Sequence, residues 1–322
     1  MDVSISCTRD PDLWFDDGNI VIQVAPRLFR VHRSILALSS SFFRDMLAFP
    51  RAAEQDMYED VPLVVLRDDD ARDTAHFLKA LYIPHYFLPP PASTTFQVIE
   101  GVLRMAHKYD VPALRRCALH HLSITFITDV DNLKTDPERT YDFDDTTEGD
   151  EGRMSELKAV IALAHDVGAT WLLPSAYYDT MQFLVTELGA AHYWNGRQRR
   201  LTYEDLLVCL AGYKHMSKRS PIAMFTSMDI GCGGADCLVK RVSVLSEDDL
   251  RDCSEVPLTY WSAWLSDDGS QPGCHLCLEG MRILYHLWQA DVWTHLPSYF
   301  NLPDWVDLLA LMRRDLEGSP GV

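Results

Sequence analysis

WFDDGNIVIQVAPRLFRVHRSILALSSSFFRDMLAF, residues Trp14 to Phe49, is the stretch that decides the fold. Ile20, Ile22 and Val24 fall on one side of a run of period 2, and Leu28, Phe29 and Val31 form a second short apolar run after Ala25-Pro26-Arg27, which predicts a β-hairpin. Helical spacing then takes over. Ile35, Leu36 and Leu38 suit a short helix after His32. Ser39-Ser40-Ser41 can cap a second helix whose inner face is Phe42, Phe43, Met46 and Leu47.

Outward from this block, Pro50 to Asp60 is polar and acidic and reads as a connecting loop, and Val61 to Leu66 as a strand with a proline near its start. Asp68 to Asp70 can cap a helix over Ala71 to Ile83, with Ala75, Phe77, Leu78, Leu81 and Tyr82 on its apolar face. Pro84 and Pro89-Pro90-Pro91 then break the chain. Val98, Ile99, Val102, Leu103 and Ala106 make one further stripe. Pro112 restarts a helix carrying Leu114, Ala118, Leu119 and Leu122.

Asp16-x-Gly18-Asn19-Ile20-Val21-Ile22, Phe29 to Leu36, Ser39 to Met46 and Leu103 to Pro112 resemble, in matching order, the signature of the BTB/POZ domain. The resemblance covers residues 12–125. It implies an α+β fold, a short β-sheet flanked by a helical cluster, in which His32 and the serines are architectural and perform no chemistry. It also implies protein partners and homodimerisation, although little chain precedes the hairpin to supply the long helix through which longer family members swap. Some BTB domains hold a cullin scaffold through a hydrophobic-x-Glu element, and Met57-Tyr58-Glu59 occupies that place. The bland reading of those three residues is a solvated acidic loop.

Residues 135–152, TDPERTYDFDDTTEGDEG, are acidic and nearly free of aliphatics, which predicts a flexible insertion. An EF-hand reading fails there, because Thr147 stands where the loop needs glycine and no glutamate closes it. Residues 153–318 are predicted to be mainly α-helical. One stripe ends at Gly168, Pro174 opens the next helix, Thr202-x-x-Asp205 caps another, and Pro303 opens a last one from Trp305 to Leu316. The runs Leu163 to Pro174 and Leu287 to Trp305 resemble the uncharacterised carboxyl-terminal regions of fungal BTB proteins, a resemblance that brings no activity with it.

The charge is lopsided: 47 acidic against 29 basic side chains give -18, and no basic block is longer than Arg197-Gln198-Arg199-Arg200. Such a surface repels phosphate backbones and anionic lipids, so neither nucleic acid nor membrane is expected as a partner. Met1 to Asp17 lacks the features of a signal peptide and no run reaches the roughly 18 apolar residues of a membrane span, so an intracellular protein, cytoplasmic or nuclear, is expected.

In a reducing compartment, eight cysteines are thiols or metal ligands before they are disulfides. Cys232-x4-Cys237 and Cys274-x2-Cys277 are two knuckle-like pairs that would complete a tetrahedral zinc site, stapling residues 231–278, with Gly231, Gly233, Gly234 and Gly273 easing the backbone round it. Cys253 and His275 compete as ligands, and free core thiols are the other reading. His107, His120 and His121 read as helix-surface or boundary residues, and Trp288 and Trp293 as core. No HExxH, GxSxG, Walker or dinucleotide motif occurs, so nothing nominates a catalytic centre and the chain is not expected to be an enzyme.

Two functions follow. The first is a protein-interaction module for self-association or recruitment, such as a substrate adaptor of a cullin-type ubiquitin ligase. The alternative is a zinc-dependent enzyme or zinc-bearing nucleic-acid-binding regulator built on the late cysteines.

Overall fold

The computed structural model describes residues 7–49, 56–130, 141–142, 150–181, 183, 185–194, 196–217, 232, 234–243, 258 and 274–317. The chain divides into two compact units, one of residues 1–122, 139–144 and 313–322, the other of residues 123–138 and 145–312. The architecture is α+β: a small sheet with helices comes first and a helical region follows.

The first unit runs β1 (Thr8–Trp14), β2 (Ile20–Val24), β3 (Arg27–Val31), α1 (Arg33–Ser39), α2 (Ser41–Ala48), β4 (Met57–Tyr58), β5 (Val61–Val65), α3 (Ala71–Tyr82), β6 (Thr94–Thr95), α4 (Phe96–Lys108), α5 (Pro112–Thr125) and β7 (Tyr141–Asp142). Its main sheet has the order β1-β3-β2-β5-β4. The expected hairpin is present: β2 and β3 pair antiparallel from Ile20 with Val31 to Val24 with Arg27. β5 lies parallel to β2 on the other side, and α1 and α2 lie between the two strands in sequence, as a parallel pair requires a crossover. Because β2 is central, Ile20, Val21, Ile22 and Val24 are all buried, which explains why both faces of that strand are apolar.

The outermost strand, β1, was not expected. Its sequence TRDPDLW carries Pro11 and two aspartates, and its register with β3 shifts between Arg9 and Trp14. Proline, charge and irregularity are how edge strands avoid pairing with foreign chains. Asp10 and Leu13 are its buried anchors, and Asp10 receives the Arg27 guanidinium at 3.1 Å.

Serine capping is as predicted. Ser40 is the N-cap of α2, where its Oγ accepts from Phe43 N at 3.0 Å and donates to the Tyr109 carbonyl. Asp70 caps α3, accepting from the amides of Arg72 and Asp73. His32 is an architectural residue, half-buried between Phe15 and Tyr82, with Nε2 3.1 Å from Asp17 and its backbone N–H and C=O both bonded to the Tyr82 hydroxyl. α3 and α4 approach closely at Gly101, where a Cβ would stand 3.0 Å from Asp73 Cα.

Three expectations need correction in this unit. Of the predicted inner face of α2, only Phe43 is fully buried; Met46 and Leu47 are partly covered and Phe42 is half-exposed. His121 is fully buried, with Nε2 2.8 Å from the Leu88 carbonyl, because the Pro-rich loop folds over it. Within 135–152, Tyr141–Asp142 is an anchored strand paired with β6, and Tyr141 is buried against Phe96. Residues 131–140 and 143–149 lie outside the described residues.

The second unit contains α6 (Asp150–Asp166), α7 (Leu173–Thr180), α8 (Val185–Gly189), a hairpin of β8 (His192–Trp194) and β9 (Arg197–Arg199), α9 (Tyr203–Ser217), α10 (Ala235–Ser243), α11 (His275–Tyr299) and most of α12 (Trp305–Glu317). Gly168 ends α6 at φ +71°, and Pro174 sits in the first turn of α7 as predicted. The helix that Pro174 opens ends at Thr180, and a second, α8, follows from Val185 to Gly189. Lys158 is buried and caps the second, donating 2.7 Å bonds to the carbonyls of Glu187 and Ala190. Burial pushes its ammonium down to about 8.

α11 contains Pro297, which has no N–H to offer the Trp293 carbonyl one turn earlier. That carbonyl accepts instead from the Trp305 indole at 2.7 Å, and the Trp293 and Trp305 rings stack at 5.3 Å. Leu258 is buried and its backbone is held on both sides: its N–H donates to the Tyr178 hydroxyl at 2.9 Å, and its carbonyl accepts from the Tyr285 hydroxyl at 2.6 Å and from Gln289 Nε2 at 2.7 Å.

Candidate functional site

The two cysteine pairs come together. Cys232 precedes α10 and Cys237 lies in its first turn, while Cys274 is the N-cap of α11 and Cys277 lies one turn in. Both second cysteines are set by turns of the backbone, Cys237 N to Gly234 O at 3.1 Å and Cys277 N to Cys274 O at 2.9 Å. The four Sγ atoms all lie within 4.8 Å of one another, with Cys232 to Cys277 at 3.5 Å and Cys274 to Cys277 at 3.6 Å. A tetrahedral ion with sulfur ligands at about 2.3 Å needs edges of about 3.8 Å, so the cluster is sized for one ion.

The electrostatics agree with that geometry. Helix N-termini stabilise thiolate, and both pairs sit at one. The Cys274 thiol is pulled down to about 7, first by the Cys277 backbone N–H and then by the thiols of Cys232 and Cys277. A Cβ on Gly234 would touch Cys232 Sγ at 3.4 Å, so the backbone there runs close to sulfur. His275 is exposed and stands outside the cluster; Cys253, Gly231, Gly233 and Gly273 are outside the described residues. Four thiolates would fill the coordination of such an ion, leaving no position for substrate.

Met57-Tyr58-Glu59 is not a loop. Met57 and Tyr58 form β4, paired with Pro62 and Val61, and Glu59 and Asp60 make the tight turn with φ of 47° and 62°. Two left-handed residues in succession give the turn that matches strand twist. Met57 is 51% exposed. Tyr58 is half-buried edge-on to Trp14, and the Arg9 guanidinium covers Trp14 and pairs with Glu59. Arg9 lies on β1, which has no alternation to read, and packs over Trp14 and Tyr58 beside the triplet.

The sequence also concealed three exposed apolar side chains on the α1–α2 pair: Leu38 is 88% exposed, Phe49 75% and Phe42 46%. Phe42 leans on Phe43 and Tyr109, while Tyr82 is occupied by Phe15 and His32. A contiguous apolar patch on a folded surface is a contact site for other proteins, whereas apolar side chains exposed singly are ordinary.

One further titratable cluster lies in the second unit. The buried Asp205 carboxylate accepts from Thr202 at 2.7 Å, from Tyr177, and from His165 at 2.9 Å. Burial alone would raise its carboxyl, but the bonds from His165, Tyr177 and Thr202 outweigh it and hold Asp205 at about 2; the same bond raises His165. Thr202 Oγ1 also accepts from Asp205 N at 3.0 Å, so the predicted Thr202-x-x-Asp205 box is present and tied to α6 and α7. Every partner here is spent on anchoring the start of α9.

Among the described residues, no helix is long and apolar enough to cross a membrane. A comparison with curated proteins gives no match. Residues 15–123, about a third of the chain, match the family model for the BTB/POZ domain, the sheet and helical cluster just described. The amino-terminal part of this chain is therefore a BTB/POZ domain, a protein-interaction module.

Proposed function

We propose that this chain is an interaction adaptor whose BTB/POZ domain binds a second copy of itself, a cullin-type ubiquitin-ligase scaffold, or both, while the helical region presents a client protein. The observation that carries this reading is the BTB/POZ match together with Leu38, Phe42, Phe49 and Met57 standing exposed on that domain. Met57 is the apolar member of the scaffold-binding triplet and Glu59 its acid. The test is a pull-down of purified cullin with the wild-type chain and the Met57→Ala and Glu59→Lys variants. Loss of capture in both variants supports the triplet, and equal capture in all three refutes it.

A structural zinc ion in Cys232, Cys237, Cys274 and Cys277 is the second part of the reading. It is favoured by four thiols within 4.8 Å at two helix N-termini. Such an ion would tie α10 to α11, and its binding free energy would be folding free energy for that segment. Closure of the site by four sulfurs weighs against the zinc-enzyme alternative, and the surplus of acidic groups against the nucleic-acid one. Metal analysis of the purified chain tests this: about one zinc per chain supports it, and less than about half an equivalent removes it.

A further inference from the structure

The four cysteines are unequal in exposure. Cys232 is exposed, Cys237 and Cys274 are half-buried, and Cys277 is buried. Among the described residues Ala235, Asp236 and Val239 of α10 are exposed, and between Cys274 and Gly280 only Cys277 is buried. The four sulfurs are a point at which α10 and α11 meet. Resting on the zinc reading above, we propose that this centre is peroxide-sensitive, and that oxidation exchanges the zinc ion for a Cys232–Cys277 disulfide that keeps the two segments joined.

The Cys232 thiolate, the one open to solvent, attacks an oxygen of hydrogen peroxide; the O–O bond breaks, hydroxide leaves, and Cys232 becomes a sulfenic acid. The Cys277 thiolate, 3.5 Å away, attacks that sulfur, the S–S bond forms, and a second hydroxide leaves. Two thiolates have lost two electrons and one peroxide has gained them. Zinc has lost two of its four donors and departs, leaving Cys237 and Cys274 as thiols. The competing product, a local Cys274–Cys277 disulfide, requires first attack at the less accessible Cys274 and would part the two segments.

The experiment uses the full chain, first loaded with cobalt(II) to read thiolate-to-metal absorption and then with zinc. Zinc-loaded protein is titrated with hydrogen peroxide beside a zinc-responsive dye, and disulfides are mapped by mass spectrometry of unreduced peptides. Zinc release rising in step with the Cys232–Cys277 peptide, both reversed by dithiothreitol and added zinc, supports the proposal. Zinc retained at about ten equivalents of peroxide, or a Cys274–Cys277 peptide as the first product, overturns it. Failure of cobalt to give the thiolate absorption, seen before any peroxide is added, overturns the zinc reading itself and this proposal with it.

Discussion

Replacing Gly212 by alanine should destabilise the helical unit, although alanine is the better helix former by about 1 kcal/mol. Gly212 is buried in α9, and a Cβ there would stand 2.0 Å from Phe300 Cε1 and 2.6 Å from Cδ1. Ordinary carbon contacts need about 3.5 Å, so the ring must retreat by roughly 1.5 Å. It has nowhere to go: Phe300 is 1% exposed and already packs on Tyr177 at 5.4 Å between centroids. Overpacking of a dense core costs about 1–3 kcal/mol and occasionally more, which outweighs the propensity gain. Urea denaturation followed by tryptophan fluorescence should therefore show a net loss of about 1–2 kcal/mol for Gly212→Ala. Phe300→Leu makes room at its own cost, so the double variant should fall short of the summed losses by at least about 1 kcal/mol. A stability gain in Gly212→Ala, or strict additivity in the double variant, would refute the packing argument.

Ser40→Ala removes both the N-cap of α2 and the donor to the buried Tyr109 carbonyl, and chemical denaturation should show a loss of about 2–3 kcal/mol in the BTB domain. Because the folded pKa of His165 is raised above its ordinary 6.5, the stability from its pairing with Asp205 is fully present below that value and is lost as pH rises through the raised one. Denaturation of wild type and Asp205→Asn from pH 5.5 to 8.5 should show the gap between them narrowing with rising pH; a gap that widens contradicts the assignment. The depressed Asp205 carboxyl adds stability that persists above its ordinary 3.8 and fades as pH falls toward about 2. Glu59→Ala breaks only an exposed ion pair with Arg9, so its denaturation midpoint should match wild type to within about 0.5 kcal/mol, which separates any loss of scaffold binding from loss of fold.

The hairpin, the capped helices and the restart at Pro112 were legible because each is written in local chemistry: alternation, a serine or aspartate before an apolar stripe, a proline in a first turn. β1 was not, since an edge strand with Pro11 and a register shift has no alternation to read. Phe42 is misassigned because periodicity counts every apolar residue as inward, whereas the short α1 and α2 each bury only one side chain fully, Leu36 and Phe43. The burial of His121 depends on a carbonyl in a loop far away in sequence, and no spacing rule carries that. For the cysteines, spacing within each pair was readable; that the pairs close on each other depends on how α10 and α11 begin, which the 36 residues between them do not state.

The most direct test of the adaptor reading is a binding measurement of the purified full chain against itself, by sedimentation equilibrium, and against purified cullin, by calorimetry. The account predicts at least one dissociation constant of about 10 µM or tighter, weakened at least tenfold when Leu38, Phe42 and Met57 are together replaced by serine. A chain that stays monomeric at about 100 µM and gives no heat with cullin would contradict it.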